Sequence, residues 1–184
     1  MKRAIIVHCW GGKPEYAWYP SVKHGLEAKG YQVIVPAMPE TDFPKQDVWM
    51  PYLAEIIGVP DDELVLIGHS IGTVTIMRYL ESLPEATRIG KAILVAAFTD
   101  PIGFRELENF FVKPLDFGAI RLKTNNGFTL IQSDNDPYVA AQYGTRLKEE
   151  LGAKLIIKRR AYHMSGDIDD ESAYLELAEV LDEL

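Results

Sequence analysis

The chain has a single cysteine, Cys9, in 184 residues, so no disulfide can close within it and a reducing, cytoplasmic compartment is the expected setting. Positive charge is scarce too: 19 Lys and Arg stand against 27 Asp and Glu, a formal net charge of −8. Nucleic acids and anionic membrane surfaces attract the opposite imbalance, so neither is an expected partner. Long hydrophobic runs are missing. The first apolar run lasts from Ala4 to Val7 before His8 interrupts it, which is too short for a signal-peptide core, and no stretch has the length needed to cross a bilayer. The glycine signatures of dinucleotide and P-loop phosphate binding do not occur, and "HCWGGK" lacks the spacing that cradles a pyrophosphate. Metal ligands are not clustered either. His8 and Cys9 are adjacent, and Asp167, Asp169, Asp170 and Glu171 read as charge at a helix N-terminus. Neither metal nor cofactor is expected, and the substrate should be a small molecule. What is present is an ordinary globular composition, 47% hydrophobic and 25% charged, of a length that suits one domain over residues 1–184.

Short apolar, β-branched runs alternate with longer amphipathic segments along the whole chain, the pattern of a parallel sheet wrapped by helices, an α/β fold. Six strands are expected, at "AIIVH" from Ala4, "QVIVP" from Gln32, "ELVLIG" from Glu63, "AILVAA" from Ala92, "FTLIQ" from Phe128 and "AKLIIK" from Ala153. All six read as buried on both faces. Helices are expected over 20–29, 47–57, 71–83, 139–151 and about 169–184. The stretch 99–126 follows neither period, yet it carries Phe104, Phe110, Phe111 and Phe117. Two readings stand: a small cap over a site, or rings that fill the core beside the sheet.

Gly68-His69-Ser70-Ile71-Gly72 is a G-x-S-x-G pentapeptide between a buried-strand pattern and a helix pattern. A nucleophile elbow needs small residues there, on either side of a strained and exposed serine. The competing reading is that Ser70 merely caps the helix that follows. A serine hydroxyl is a weak nucleophile at neutral pH and needs a positioned base. Of the four histidines, His69 neighbours Ser70 and points elsewhere, His24 lies inside a helix pattern and His8 closes the first strand. His163, in the loop after the last strand, is the base by elimination. That base needs a buried carboxylate to hold its tautomer. The loop "QSDNDPYVA" offers Asp134 and Asp136, and the residues alone do not separate them: Asp136, before Pro137, suits a helix cap, and Asp134 suits an ordinary turn. For an oxyanion hole, one backbone donor is the N–H of Ile71, just after the nucleophile, and the other is the N–H of Trp10 in the glycine-bearing turn "HCWGG". The chain order oxyanion loop, Ser, Asp, His is that of the α/β-hydrolases, and all four parts follow strand carboxyl ends, where open α/β sheets bind ligands. Lys158, Arg159 and Arg160 read as a solvated strand end, or alternatively as groups that tune an acidic substrate.

The motifs "HCWGG", "WYPSVKHGLEAKGYQVIVPAMPE", "DVWMPYL", "LIGHSIGTVTIMRYLE", "AILVAAF" and "SDNDPYV", with the loop around His163, resemble the small, nearly capless α/β-hydrolases named after a retinoblastoma-binding protein, also called YdeN-like serine hydrolases. The likeness spans almost the whole chain. It implies a single α/β-hydrolase domain of about six mostly parallel strands in the order 2-1-3-4-5-6, helices on both faces and at most a minimal cap at 99–126. The family's acid stands three residues before a valine in a pattern like S-x-D-D-P-x-V, which matches Asp136 rather than Asp134. The resemblance carries the nucleophile to Ser70 and the base to His163. Cys9 and Tyr162 stand where the family usually has glycines. The L-x-C-x-E motif is absent, so no retinoblastoma-type partner is implied. The expected activity is hydrolysis of a small ester, with amide or thioester cleavage less favoured; the rival of another class is a non-catalytic binding protein on the same fold.

Overall fold

The computed structural model describes residues 1–165 and 174–184. Six strands, β1 (Arg3–Val7), β2 (Gln32–Ile34), β3 (Leu64–His69), β4 (Lys91–Val95), β5 (Phe128–Ser133) and β6 (Lys154–Lys158), form one sheet. Its order is β2-β1-β3-β4-β5-β6, and every neighbouring pair is parallel. Between the strands lie α1 (Tyr19–Ala28), α2 (Gln46–Ile57), α3 (Ile71–Ser82), a 3-10 helix over Arg105–Phe111, α4 (Phe117–Ile120), α5 (Gln142–Leu151) and, last, α6 (Ala178–Asp182).

The strand period of two divides the apolar residues between two cores. Ile5, Val7, Leu64, Leu66, Ala92, Leu94 and Leu130 face one layer, where Trp49, Leu53 and Ile57 of α2, Val74 and Met77 of α3 and Leu147 of α5 meet them. Ala4, Ile6, Val65, Ile67, Ile93, Val95 and Ile131 face the other, against Tyr19, Val22 and Leu26 of α1 and Val180 of α6. A run such as "LVLI" is therefore continuously apolar because both sides of it are covered.

Burial on both faces holds for β1, β3, β4 and β5 and fails at the two edges. β2 shrinks to three residues with Gln32 and Ile34 exposed, and β6 has two exposed and three half-buried residues. An edge strand is covered less completely than a central one, so apolar content alone overstates its burial. Two helices are also shorter than the sequence pattern: α5 begins at Gln142 rather than Val139, and 174–177 are not helical, so α6 begins only at Ala178. The remainder of that expected helix, with the acidic group Asp167, Asp169, Asp170 and Glu171, lies outside the described residues.

The stretch 99–126 divides its rings. Phe110 is fully buried and meets Trp49 edge-on at 6.3 Å, while Phe104 faces the cleft described below. Arg78 of α3, itself only 5% exposed, fastens the stretch by donating to the carbonyls of Phe110 and Lys113 and pairing with Glu81.

Candidate active site

Ser70 sits between β3 and α3 with φ 55° and ψ −122°, a backbone conformation that L residues rarely adopt and that surrounding structure must enforce. The flanking glycines are what make the turn possible. A Cβ on Gly72 would stand 2.3 Å from the carbonyl oxygen of Val7, and one on Gly68 would stand 2.8 Å from the Thr73 nitrogen. α3 therefore starts hard against the end of β1, and Ser70 stands at the carboxyl end of the interior strand β3. Its hydroxyl makes no capping bond to the helix, so the capping role weighed from the sequence is not the one it plays.

Asp136 answers both of its sequence readings at once. Its Oδ1 accepts the N–H groups of Tyr138 and Val139, each at 2.9 Å, as a turn or cap residue does. Its Oδ2 lies 2.8 Å from His163 Nδ1, with side-chain exposures of 0% for Asp136 and 8% for His163. Asp134 is occupied elsewhere: its Oδ1 accepts the Arg160 N–H at 2.7 Å. That contact is one rung of a ladder the sequence reading did not find. Ser133 Oγ accepts the Ala161 N–H at 3.1 Å, and Asn135 Oδ1 accepts the Tyr162 N–H at 2.9 Å. The four consecutive residues "SDND" thus hold the four consecutive residues "RAYH" by side chain. The signal was the density of small polar acceptors after β5, which also reads as plain turn chemistry.

In the turn after β1, three of the four amides from Cys9 to Gly12 have partners. Cys9 donates to the Tyr19 hydroxyl, Gly11 to the Thr41 carbonyl and Gly12 to the Cys9 carbonyl. The Trp10 amide and the Ile71 amide have no acceptor among the described residues. Trp10 is itself fixed, its indole N–H donating 2.8 Å to the Asp42 carbonyl. His8, buried below the turn, bridges two loops as a neutral ring: Nδ1–H donates to the Cys9 carbonyl and Nε2 accepts the Met38 N–H. Burial also pushes the Cys9 thiol up to about 11, which leaves it inert near neutrality.

Ser70 and His163 open into one cleft of about 310 Å³, walled by Trp10, Ile102, Phe104, Leu107 and Tyr138. The rings form an arc. Trp10 meets Phe104 edge-on at 5.6 Å, Phe104 meets Tyr138 at 6.2 Å, and Tyr138 meets His163 at 5.2 Å. Among the described residues, His163 is the one ionisable side chain of the wall besides Cys9 and Tyr138. The basic group Lys158, Arg159 and Arg160 stays outside it, with Lys158 paired to Glu179. Among the described residues, no group of three or more His, Cys, Asp or Glu is placed to hold a metal ion, and no helix is long and apolar enough to cross a membrane.

Comparison with known proteins bears on this geometry. A family model described as serine hydrolase matches residues 4–183. The chain is 28% identical to the serine hydrolase RBBP9 of Rattus norvegicus over 160 residues, covering 83% of this chain and 82% of that one. It is 25% identical to YdeN of Bacillus subtilis (strain 168) over 167 residues, covering 90% and 87% respectively. The crystal structure of the ydeN gene product from B. subtilis superposes with a TM-score of 0.88 at 25% identity, over 99% of this chain and 96% of that one.

Proposed function

The chain belongs to the serine hydrolase family, and on that premise we propose that it hydrolyses a small, uncharged carboxylic ester through Ser70, His163 and Asp136. The observation that carries the reading is the 2.8 Å bond from His163 Nδ1 to a fully buried Asp136 carboxylate, with His163 and a backbone-strained Ser70 sharing one cleft. Asp136 accepts the Nδ1 proton and so leaves the Nε2 lone pair free to act as the base. Ser70 Oγ attacks the ester carbon while His163 takes its proton, and the carbonyl electron pair moves onto oxygen. The N–H groups of Trp10 and Ile71, which have no acceptor among the described residues, hold that oxyanion. When the pair returns, the C–O bond to the alcohol breaks and His163 delivers the proton to the departing oxygen. Water, deprotonated by the same histidine, then attacks the acyl-serine, releasing the acid and restoring Ser70.

The apolar, ring-lined wall favours an apolar group beside the scissile bond, and among the described residues it presents no Lys or Arg to a charged one. In this reading residues 1–184 are one domain and 99–126 is its minimal cap, which supplies Ile102, Phe104 and Leu107 to the wall. The compartment proposed is the cytoplasm, which suits the buried, unpaired thiol of Cys9. A fluorophosphonate probe and a chromogenic ester test the proposal together. Wild type should label and turn over, while Ser70→Ala should do neither and His163→Ala should lose turnover. A folded wild type that does not label would refute it, and cleavage of amides in preference to esters would move the reaction class.

A further inference from the structure

The bonds around His69 form one directed chain that no chemical step above uses. His69 Nε2 lies 2.8 Å from the carbonyl oxygen of His163. A carbonyl only accepts, so Nε2 carries the ring proton. Nδ1 then has a lone pair, to which the Tyr19 hydroxyl, 2.7 Å away, donates. The Tyr19 oxygen in turn accepts the Cys9 N–H at 3.1 Å. Each proton has one place, and a second ring proton would have none. Burial, reinforced by the neighbouring His163, pushes the His69 imidazole down to about 3, which keeps it neutral. Cys9, Tyr19, His69 and His163 are all buried, and Trp18 packs against the rings of both Tyr19 and His69, at 4.7 and 5.7 Å.

The ends of this chain fall on the proposed machinery. Cys9 precedes Trp10, His69 precedes Ser70, and the last acceptor belongs to His163 itself. The loops joined follow β1, β3 and β6, which come from both sides of β3 in the sheet. We propose that Tyr19 and His69 are positioning residues that set the spacing of oxyanion donor, nucleophile and base. The inference rests on the roles given above to Trp10, Ser70 and His163. It also completes the hold on the base, because Asp136 fixes the His163 ring while His69 fixes the peptide from which that ring projects.

Tyr19→Phe removes the donor to His69 and the acceptor of Cys9 while keeping the ring. His69→Gln keeps one donor and one acceptor, and His69→Leu keeps neither. For each, kcat and KM on an apolar ester are expressed per Ser70 site titrated with a fluorophosphonate, beside the thermal midpoint. Tyr19→Phe should lower kcat by roughly 10- to 100-fold with KM changed less than about twofold, since the reacting groups shift while the cleft wall stays. His69→Gln should recover part of the His69→Leu loss. The double variant Tyr19→Phe/His69→Leu should lose no more than the worse single, because the two act as one unit. A Tyr19→Phe enzyme that keeps kcat per titrated site within about twofold of wild type, whatever its thermal midpoint, overturns the inference; so do losses that multiply. If His69→Leu does not fold, Tyr19→Phe and His69→Gln decide between them. An inactive, unlabelled wild type overturns the hydrolase reading and this inference with it, whereas an active wild type with an unaltered Tyr19→Phe overturns this inference alone.

Discussion

Replacing Asp136 by asparagine separates its two roles. Oδ1 receives two backbone N–H groups, from Tyr138 and Val139, while Oδ2 faces the His163 Nδ1. An asparagine must place its single carbonyl oxygen at the Oδ1 position. The flipped amide would aim an NH2 at two buried donors, and leaving each of them unsatisfied costs about 1–3 kcal/mol. The NH2 therefore points at His163 and donates to Nδ1. The imidazole proton moves to Nε2, and the ring can no longer accept the proton of Ser70.

Asp136→Asn should accordingly lower kcat by about 10,000-fold, the scale on which a serine hydrolase loses activity when its histidine is locked in the wrong tautomer. Stability should fall by only about 1 kcal/mol, because the turn keeps its acceptor. Asp136→Ala should lose comparable activity and also about 2–4 kcal/mol of stability, with both amides orphaned in the turn. Urea unfolding and ester turnover measured on the same samples separate the two effects. An Asp136→Asn enzyme within about tenfold of wild type, or one as unstable as Asp136→Ala, would refute the assignment of the two oxygens.

Three further outcomes are expected. Glu183 joins Lys91, Lys154 and Thr129 at the end of α6; burial pushes its carboxyl up, but the bonds from Lys154, Thr129 and Lys91 outweigh this and bring it down to about 2. Because the folded value is depressed, the stabilisation is complete above the ordinary value of 4.5 and fades as pH falls toward about 2. Glu183→Gln should cost about 1–2 kcal/mol near neutrality, and urea titrations should find the gap closing through that acid window; a gap independent of pH would contradict the assignment. Phe104→Ala should lower kcat/KM for a phenylacetyl ester by about tenfold, through lost ring contact and burial, while an acetyl ester stays within about twofold; equal losses on both would remove Phe104 from the substrate wall. Tyr162→Gly should raise stability by up to about 1 kcal/mol, since left-handed strain at φ 47° exceeds the extra unfolded freedom of glycine, and a lower urea midpoint would mean that the half-exposed ring packs more than its position implies.

The sheet was legible because its cause is local: two-sided burial makes a strand continuously apolar, and six such runs with helical stretches between them leave few topologies. Edge strands misled for the same reason, since "AKLIIK" is as apolar as a central strand while its outer edge pairs with no strand among the described residues. Ser70, Asp136 and His163 stood out because each is a chemically demanding residue beside a strand end, although separating Asp136 from Asp134 took a family pattern. The ladder from Ser133, Asp134 and Asn135 was not legible, because it depends on two loops 27 residues apart meeting in register. His69 was read as pointing elsewhere, and its ring does turn away from the cleft wall. Where it turns to, the hydroxyl of Tyr19 and the carbonyl of His163, follows from the packing of three loops and from nothing local.

The distribution of strain explains why so much hydrogen bonding gathers at this end of the sheet. Among the described residues, eight non-glycine residues have positive φ, and six of them, Ser70, Ala96, Ile102, Arg160, Tyr162 and Met164, follow the carboxyl ends of β3, β4 or β6, with Ala17 after β1 and Glu40 after β2. Each such residue costs on the order of 1–2 kcal/mol, so the loops would relax unless held. The holding bonds are present at the strained residues themselves. Ser70 N–H donates to the Val95 carbonyl, Ala96 N–H to Ile131 and Met164 N–H to Ala161, while Arg160 and Tyr162 donate to the side chains of Asp134 and Asn135. Extending the sheet's bonding past the last paired residue of β3 and β4 stiffens the turn at Ser70, and side-chain acceptors at the end of β5 and just after it do the same for the loop at His163. The two loops are therefore rigid by different means, and the bond from His69 to the His163 carbonyl is where the stiff turn lends its position to the other.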